Sequence, residues 1–464
     1  MNPSHRQWCA VRTLGSVCLL VAAALTSARL EQFLDIGGVT SSTFHQAVLA
    51  MRLAFVVAGS WFLLRRPRVN WPGLAIGAAT MALTILIGGL CVQKIARVTP
   101  IVSGWRSYAP KYERNELLFR GRPICYDGAD FVVVLLGDSQ VEATTLPFEQ
   151  MPEQRLEHHL RKSHPRARVF SVGARGYGQD QQLLVLREYF ARFRADLVVL
   201  WQTPGNDICN NLFPTHMPAN GAPKPTFRLV DGKLAGPSEP MGQPIPQSPI
   251  KLVALCQRTL APERYYRRDD HWERYLPRPY SALPAWEGEV NHAWQRVWDV
   301  EKVRSENLDN EKTGWAMELV PPSPRMCYGI ELTRRLLAEI RTTARSHGSE
   351  FVVFRAALPE DAAADGGEEV YDFRGKYYRA SKRQMELNIN AVNRDVGALA
   401  IPVKMKDWRI SPVDAHLNIA ANDQVMGDLA AALRPTIARL AAREEETCRD
   451  ARCTKAGKCR LTSR

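Results

Sequence analysis

The sequence predicts an α/β protein: a three-layer α/β/α sandwich with a five-stranded parallel sheet in flavodoxin-like order, preceded by about three transmembrane helices. Short apolar runs without polar alternation recur along the chain, separated by longer segments of helical spacing. This pattern is typical of parallel strands and their crossover helices. Long apolar stretches confined to the first hundred residues predict the membrane part.

Bulk composition permits a large core. The 464-residue chain is long enough for two or three structural units, with 45% hydrophobic and 23% charged residues. A net charge of +13 is spread along the chain, which favours an anionic membrane or polymer as a partner. Because no nucleic-acid-binding motif accompanies this charge, we expect no nucleic acid partner.

Three apolar stretches mark residues 1–104 as a membrane anchor. They run over 14–28, 47–64 and 72–92. Since a spanning helix needs about 20 mostly apolar residues, the third stretch fits best. The first is short, and a cleaved signal peptide is an alternative interpretation of it. Arg52, in the second stretch, is expected to extend toward the lipid headgroups.

The basic segment Arg65-Arg66-Pro67-Arg68 predicts the orientation of this anchor. Basic loops stay on the cytoplasmic side, so the third helix leads outward. We therefore expect a multi-pass protein of the bacterial inner membrane with its main domain on the periplasmic side. Seven of the ten cysteines follow the anchor, and no His-rich tract accompanies them. This usage favours disulfides over metal binding, with an odd cysteine left over.

Five apolar runs are predicted as strands covered on both faces, because they are β-branched or aromatic and lack alternation. These runs are 131–136, 168–172, 196–201, 351–355 and 401–403. Helical spacing predicts crossover helices between them. The predicted helices are 149–162, 179–194, 331–346, 381–399 and 418–442.

These elements assign residues 105–442 to one domain with a long insert at 208–326. The insert begins rich in proline and glycine and ends rich in tryptophan and tyrosine, so we expect an ordered cap or lid. Residues 443–464 form a polar, cysteine-containing tail that is predicted to be poorly ordered.

Ser139 ends the segment Leu135-Leu136-Gly137-Asp138-Ser139, directly after the first predicted strand. Open parallel sheets bind ligands at the carboxyl ends of their strands, so Ser139 is expected to face that crevice. Taken alone, Gly-Asp-Ser is equally typical of an ordinary helix cap.

Three further segments follow other strands of the same sheet. Gly176 lies in a glycine-rich turn that lets backbone amides approach a substrate, and Asn206 adds a carboxamide donor. Asp414 and His416 precede the last predicted helix. A serine hydroxyl needs a base to become nucleophilic, and a histidine oriented by a carboxylate supplies one.

These four segments, in this order, resemble the motifs of the SGNH (or GDSL) hydrolase family, and the resemblance spans residues 137–418. It implies a serine nucleophile, an oxyanion hole and a histidine base. By this resemblance Ser139 is the nucleophile and one oxyanion donor, Gly176 and Asn206 are the other donors, His416 is the base, and Asp414 is its orienting acid.

The sequence departs from the family pattern at three places. Only Ala415 separates the acid from the histidine, whereas most members have two residues there. This spacing resembles the polysaccharide O-acetyltransferase-like branch, which includes the alginate acetylation proteins. Gly205 stands directly before Asn206, and alanine occupies positions 420 and 421, where relatives often have glycine. The first departure leaves the role of Asp414 open.

The resemblance implies a serine esterase or O-acyltransferase that acts on a cell-envelope carbohydrate ester, with no cofactor or metal and with a membrane O-acyltransferase as partner. Two other functions stay open. One is a non-catalytic envelope polysaccharide-binding or scaffold protein. The other is a lipid esterase of the lysophospholipase kind, which predicts an apolar groove facing the membrane.

Several residues near these motifs are expected to be structural. Asp207 is expected to brace the Asn206 turn, and Cys209 to be buried. The aromatic residues of the insert are expected to belong to a core more often than to a sugar platform. They include Trp272, Tyr275, Trp294 and Trp298.

Overall fold

The computed structural model describes residues 3–24, 26, 42–65, 72, 111–216, 222–238, 270–294, 308–359, 367–373, 375–411 and 414–459. The chain divides into two compact units. Described residues up to 72 belong to the first unit, and those from 111 onward belong to the second.

The first unit contains two helices, α1 (Pro3–Ala24) and α2 (Ser42–Arg65), that pack against each other. Glycines permit the close contact, since a Cβ added at Gly59 would lie 2.9 Å from the carbonyl oxygen of Gly15. Arg52 donates from Nε to the Ala22 carbonyl at 3.1 Å, which adds a polar contact between the two helices. Its extension toward lipid headgroups stays a prediction.

These two helices coincide with the first two predicted membrane segments. Among the described residues, no helix combines the length and the apolar character needed to span a bilayer. The third predicted segment, 72–92, lies outside the described residues except for its first position. The membrane anchor therefore stays a prediction.

The second unit is built on a five-stranded parallel sheet in the order β2-β1-β3-β8-β11. Its strands are β1 (Phe131–Gly137), β2 (Ala167–Gly173), β3 (Leu197–Trp201), β8 (Glu350–Ala357) and β11 (Leu399–Pro402). When the five strands are numbered by their order along the chain, their order across the sheet is 2-1-3-4-5. The predicted flavodoxin-like sheet is confirmed.

Both faces of the sheet are covered, as the unbroken apolar runs predict. Along β1, Val132 and Val134 face one core cluster, whereas Val133 and Leu135 face the other. All four side chains are fully buried. A strand that buries every residue has no polar face, which is why the run contains no alternation.

Helices form the two outer layers. Those from 139 onward are α3 (Ser139–Glu142), α4 (Pro152–Arg161), α5 (Gln179–Phe190), α6 (Pro204–Leu212), α7 (Asp270–Glu273), α8 (Pro324–Ser346), α9 (Lys382–Asn393) and α10 (Ile419–Cys459). Three short 3-10 turns add Lys111–Glu113, Phe148–Gln150 and Gly314–Glu318. Helices α4 and α10 cover one face, and α5, α8 and α9 cover the other, which confirms the three-layer sandwich.

Capping residues set the helix boundaries that periodicity missed. Helix α8 begins seven residues before its predicted start because the Ser323 hydroxyl accepts from the amide of Met326 at 2.8 Å. Asn418 caps α10 in the same way through the amide of Ala421. Helix α10 then continues to Cys459. The described part of the tail predicted from residue 443 is therefore helical, in keeping with its alanine, arginine and glutamate residues.

The described parts of the insert form small antiparallel pairs. They are β4 (Thr215–His216) with β5 (Ala222–Pro223), and β6 (Thr226–Val230) with β7 (Lys233–Ser238). A further hairpin between β8 and α9, absent from the predicted elements, joins β9 (Glu369–Phe373) to β10 (Lys376–Ala380). Beyond it, β12 (Arg409–Ser411) pairs with β13 (Asp414–Leu417). Isolated bridges at Leu283, Asn291 and Leu319 attach the insert to the β9–β10 hairpin.

Aromatic packing anchors the insert in the main core. Trp294 is buried and stacks on Tyr371 with ring centroids 4.4 Å apart. Trp272 is also buried and donates from Nε1 to the Leu212 carbonyl at 2.8 Å. Both are core residues, as expected, whereas Tyr275 is exposed and Trp298 lies outside the described residues.

A buried ion pair ties the insert to the helical layer. The side chains of Lys224 and Asp180 are each 1% exposed and form a salt bridge. The Lys224 Nζ also donates to the Asn210 carbonyl at 2.5 Å. Because the insert supplies Lys224 and helix α5 supplies Asp180, this pair fixes the start of the insert on the core.

The described cysteine side chains carry no disulfide. Cys18, Cys125, Cys209 and Cys327 are free thiols. The disulfides predicted for the cysteines after the anchor are therefore wrong for Cys125, Cys209 and Cys327. Burial raises the pKa of Cys209 to about 12, and its Sγ donates to the Asn206 carbonyl at 3.0 Å. Cys209 is thus a structural residue, as expected.

Replacing Lys224 by methionine is expected to destabilise the fold, because it leaves the Asp180 carboxylate buried without its cation. Breaking such a pair costs about 3–5 kcal/mol. Circular dichroism should show a lower thermal midpoint for Lys224→Met and partial recovery for Lys224→Met with Asp180→Leu. The exposed Lys233→Met serves as a matched control. Equal midpoints for the two single variants would contradict the assigned role of the ion pair.

Candidate active site

Ser139, Asn206 and His416 line one cavity of about 350 Å³ in the second unit. Each lies on a different segment of the chain. Ser139 follows β1, Asn206 follows β3, and His416 lies on β13. The cavity therefore opens at the carboxyl ends of the parallel strands, which is where this topology places ligands.

The turn between β1 and α3 presents Ser139. Asp138 caps the helix, since its Oδ1 accepts from the amide of Gln140 at 2.9 Å. The helix contains only the four residues Ser139–Glu142. Ala143 follows it with a left-handed φ of 45°, which turns the chain away. Ser139 is left half-buried at the first helical position, facing the cavity.

Asp138 also binds the loop that follows β3. Its carboxylate accepts from the Thr203 hydroxyl at 3.1 Å and from Asn206 Nδ2 at 3.3 Å. Burial raises the pKa of this fully buried carboxyl, while the donors at Gln140 and Asn206 act in the opposite direction. Asp138 thereby fixes Asn206 beside Ser139, a role that the sequence reasoning missed.

Asn206 is placed to act as a hydrogen-bond donor. It lies in the first turn of α6, which begins with Pro204. The amide nitrogen that donates to Asp138 carries a second hydrogen. This second hydrogen can donate to a further acceptor.

Asp414 and His416 form an acid–base pair on one strand. His416 Nδ1 lies 2.5 Å from Asp414 Oδ1, and the His416 amide donates to the same oxygen at 3.0 Å. Alternate residues of a strand point to the same face. This explains how a single intervening residue, Ala415, suffices to bring acid and base together.

The charge of Asp414 is stabilised where it lies. Partial burial raises the pKa of this carboxyl, but the hydrogen bonds from His416 and its charge outweigh burial and lower the pKa below its usual value. With Nδ1 bound to the carboxylate, Nε2 is the ring nitrogen that remains for proton transfer. The pair has the arrangement of a base and its orienting acid.

Gly176 lies in the loop after β2, next to the nucleophile turn. Gly173 and Gly137 pair at the ends of β2 and β1, and Gly176 has a φ of 73° within the turn that follows. Among the described residues, however, Gly176 is absent from the lining of the cavity around Ser139. The structure therefore brings Ser139, Asn206 and His416 together and places Gly176 in the adjoining loop.

Glu142 holds this loop and was also missed from the sequence. Its carboxylate is buried and accepts from the amide of Arg175 at 2.8 Å, one residue before Gly176. Arg120 in turn donates to the carbonyls of Glu142 and Ala143, which fixes the end of α3. The position of Glu142, three residues after Ser139, is the only signal in the sequence for its role.

Asp207 stabilises the turn that carries Asn206, as expected. Its Oδ2 accepts from the amide of Thr203 at 3.0 Å. Burial, assisted by the nearby charge of Asp138, raises the pKa of Asp207 well above its usual value. Burial thus opposes ionisation of Asp207, and its hydrogen bond to the Thr203 amide gives it a structural role.

The insert supplies one wall of the cavity through Trp315. The 3-10 turn that carries this residue packs tightly on α6, since a Cβ at Gly314 would lie 2.0 Å from the Gly205 carbonyl oxygen. Lys382 lies 5.6 Å from the ring and forms a salt bridge with Glu318. The other aromatic and cationic lining residues are Trp201, Trp408, Arg355 and Arg409.

No family model matches the chain, and no curated protein matches it. Among solved structures, TesA is 12% identical with a TM-score of 0.30, covering 66% of this chain and 98% of its own. A putative arylesterase from Agrobacterium tumefaciens is 14% identical (TM-score 0.29, covering 66% and 99%). Est24, a carbohydrate acetylesterase from Sinorhizobium meliloti, is 10% identical (TM-score 0.29, covering 66% and 100%). Identities and TM-scores this low show nothing about the function of this chain.

Replacing Glu142 by alanine is expected to reduce turnover by releasing the Arg175 amide and with it the loop of Gly176. In the mechanism proposed below Gly176 donates to the oxyanion, and losing one such donor typically costs about 2.7–4 kcal/mol. A displaced Gly176 should therefore lower kcat by at least roughly tenfold with a small change in KM. Glutamine retains an acceptor oxygen, and Glu142→Gln should recover most activity. The exposed Glu149→Ala is the control, and unchanged kcat in Glu142→Ala would disprove the positioning role.

The raised pKa of Asp207 predicts a pH-dependent stability. Because folding favours the protonated form, this contribution is present at low pH and is lost as pH rises through the folded-state pKa. Asp207→Asn resembles the protonated form and lacks that loss. Thermal midpoints measured from pH 5 to 9 should therefore fall less for Asp207→Asn than for the wild type. Parallel curves would show that Asp207 is ionised.

Proposed function

We propose that this chain is a serine-dependent acyl ester hydrolase or acyl transferase of the SGNH type. One observation carries the proposal: Ser139, Asn206 and His416 line a single cavity, with Asp414 bound to the far nitrogen of the histidine. A hydroxyl, an imidazole oriented by a carboxylate and a carboxamide donor are the groups that acyl transfer requires.

The proposed reaction has two halves. His416 Nε2 takes the proton of Ser139 as Oγ attacks the acyl carbonyl, and the oxyanion is held by Asn206 and the amides of Ser139 and Gly176. The intermediate collapses when the ester C–O bond breaks, and His416 protonates the departing alcohol. Water or an acceptor hydroxyl then loses a proton to His416 as its oxygen attacks the acyl carbon. The bond from that carbon to Ser139 Oγ breaks, and His416 returns the proton to Oγ.

We place a carbohydrate ester in this cavity. Trp315 is half-buried in its wall, and a ring in such a position can pack against the apolar face of a sugar. Cationic side chains at Arg355 and Arg409 lie among the lining residues and offer donors for hydroxyl or carbonyl oxygens.

A cell-envelope location belongs to the same proposal. It is supported by the apolar stretches at 14–28, 47–64 and 72–92 and by the basic segment that follows the second of them. A domain held outside the cytoplasm has access to envelope polysaccharides. A membrane O-acyltransferase that delivers acyl groups would then be the partner.

Purified full-length chain should release p-nitrophenol from p-nitrophenyl acetate, and Ser139→Ala should not. The same variant should lose labelling by a fluorophosphonate probe, whereas the exposed Ser163→Ala should retain it. Mass spectrometry of oligosaccharides added to the reaction separates transfer, which acetylates the sugar, from hydrolysis, which does not. Full labelling of Ser139→Ala would show that another nucleophile acts. A folded wild type without labelling or turnover would favour a binding or scaffold protein.

A further inference from the structure

A second cavity, of about 730 Å³, lies between the insert and the β9–β10 hairpin. The insert contributes residues 286 and 289–292, and the hairpin contributes Glu369, Val370 and Arg379. This cavity shares no lining residue with the one around Ser139. The chemistry proposed for Ser139 therefore leaves it without a role.

Trp286 is held in a fixed position at this cavity. Its Nε1 donates to the Glu289 carbonyl at 3.0 Å. The ring also lies against Gly288, where an added Cβ would come within 2.9 Å of the indole. A side chain that is already ordered loses little entropy when a ligand packs on it, so Trp286 is suited to bind a flat apolar face.

Polar groups surround this indole. Glu369 accepts from Asn291 Nδ2 at 2.5 Å, and Glu368 lies 3.8 Å from Arg379. Glu289 adds a third carboxylate to the lining. Carboxylates and amides form strong hydrogen bonds with hydroxyl groups. The lining contains these three carboxylates, one arginine (Arg379) and the imidazole of His292. This excess of acidic groups opposes an anionic ligand.

Aromatic rings connect this cavity to the wall of the Ser139 cavity. Tyr371 pairs with Asn291, which lines the second cavity, and stacks on Trp294 with centroids 4.4 Å apart. Trp294 in turn meets Trp315 edge-on at 5.8 Å, and Trp315 lines the Ser139 cavity. A series of contacts through Tyr371 and Trp294 therefore connects the two cavities.

We infer that the second cavity binds a non-acidic oligosaccharide, with Trp286 as the stacking ring and Glu289, Glu368 and Glu369 as hydroxyl acceptors. A fixed indole surrounded by hydrogen-bonding groups matches the alternation of apolar faces and hydroxyls on a neutral sugar. Binding at this cavity is independent of Ser139. Its use as a subsite that holds a polymeric substrate rests on the proposed function.

Isothermal titration calorimetry of the full-length chain tests this inference. The neutral probes are cellohexaose, mannohexaose and the hexamer of N-acetylglucosamine, and hexagalacturonate is the acidic probe. At least one neutral hexamer should bind, and more tightly than hexagalacturonate. Binding of no neutral hexamer, or tighter binding of the acidic one, would overturn the inference.

Two variants locate the binding. Trp286→Ala should weaken the bound neutral hexamer by about tenfold or more, and Gly288→Ala should also weaken it because the added methyl displaces the ring. Tyr275→Ala, a matched control at a 66% exposed aromatic residue of the insert, should leave affinity unchanged. Wild-type affinity in both Trp286→Ala and Gly288→Ala would overturn the assignment.

The same variants distinguish this inference from the proposed function. Trp286→Ala should hydrolyse p-nitrophenyl acetate as the wild type does, since Trp286 lies outside the Ser139 cavity. Ser139→Ala should bind the neutral hexamer as the wild type does. Loss of hexamer binding in Ser139→Ala would place the sugar in the Ser139 cavity and refute the second site.

Discussion

The buried carboxylate of Asp138 is the interaction on which the site depends. It sits between the end of β1 and the start of α3 and binds groups from two separate loops, the amide of Gln140 on one side and the side chains of Thr203 and Asn206 on the other. Burying a carboxylate is costly unless donors compensate it, so all these groups are held in place together. Ser139, the proposed nucleophile, and Asn206, the proposed oxyanion donor, consequently share one support.

The insert extends this arrangement outward from the sheet. Its Trp294 belongs to the main hydrophobic core, while its Trp315 forms part of the wall of the Ser139 cavity. Lys224 attaches the beginning of the same insert to α5 through a fully buried salt bridge. Because the insert is anchored at several points in the core, its described part packs as an integral part of the second unit.

Features that leave a local pattern in the sequence could be predicted, whereas contacts between distant segments could not. The sheet was predictable because strands covered on both faces, such as 131–136, leave unbroken apolar runs, and the topology brings Ser139, Asn206 and His416 to one edge. The β9–β10 hairpin was not, because no unbroken apolar run marks its strands and its neighbours come from a distant insert. The roles of Asp138 and Glu142 arise from contacts between loops, and their only signal in the sequence is that both lie within three residues of Ser139.

The base of the proposed reaction is carried by a strand, and this has a geometric consequence. Asp414 and His416 share a face of β13 because they are two residues apart, and the side chains of a strand alternate with period two. One residue inserted between them would turn the imidazole to the opposite face, away from its acid. Two inserted residues would restore the facing but move the ring about 7 Å along the strand. Contact between acid and base thus depends on the number of residues between them, so this strand tolerates insertions far less well than a loop would.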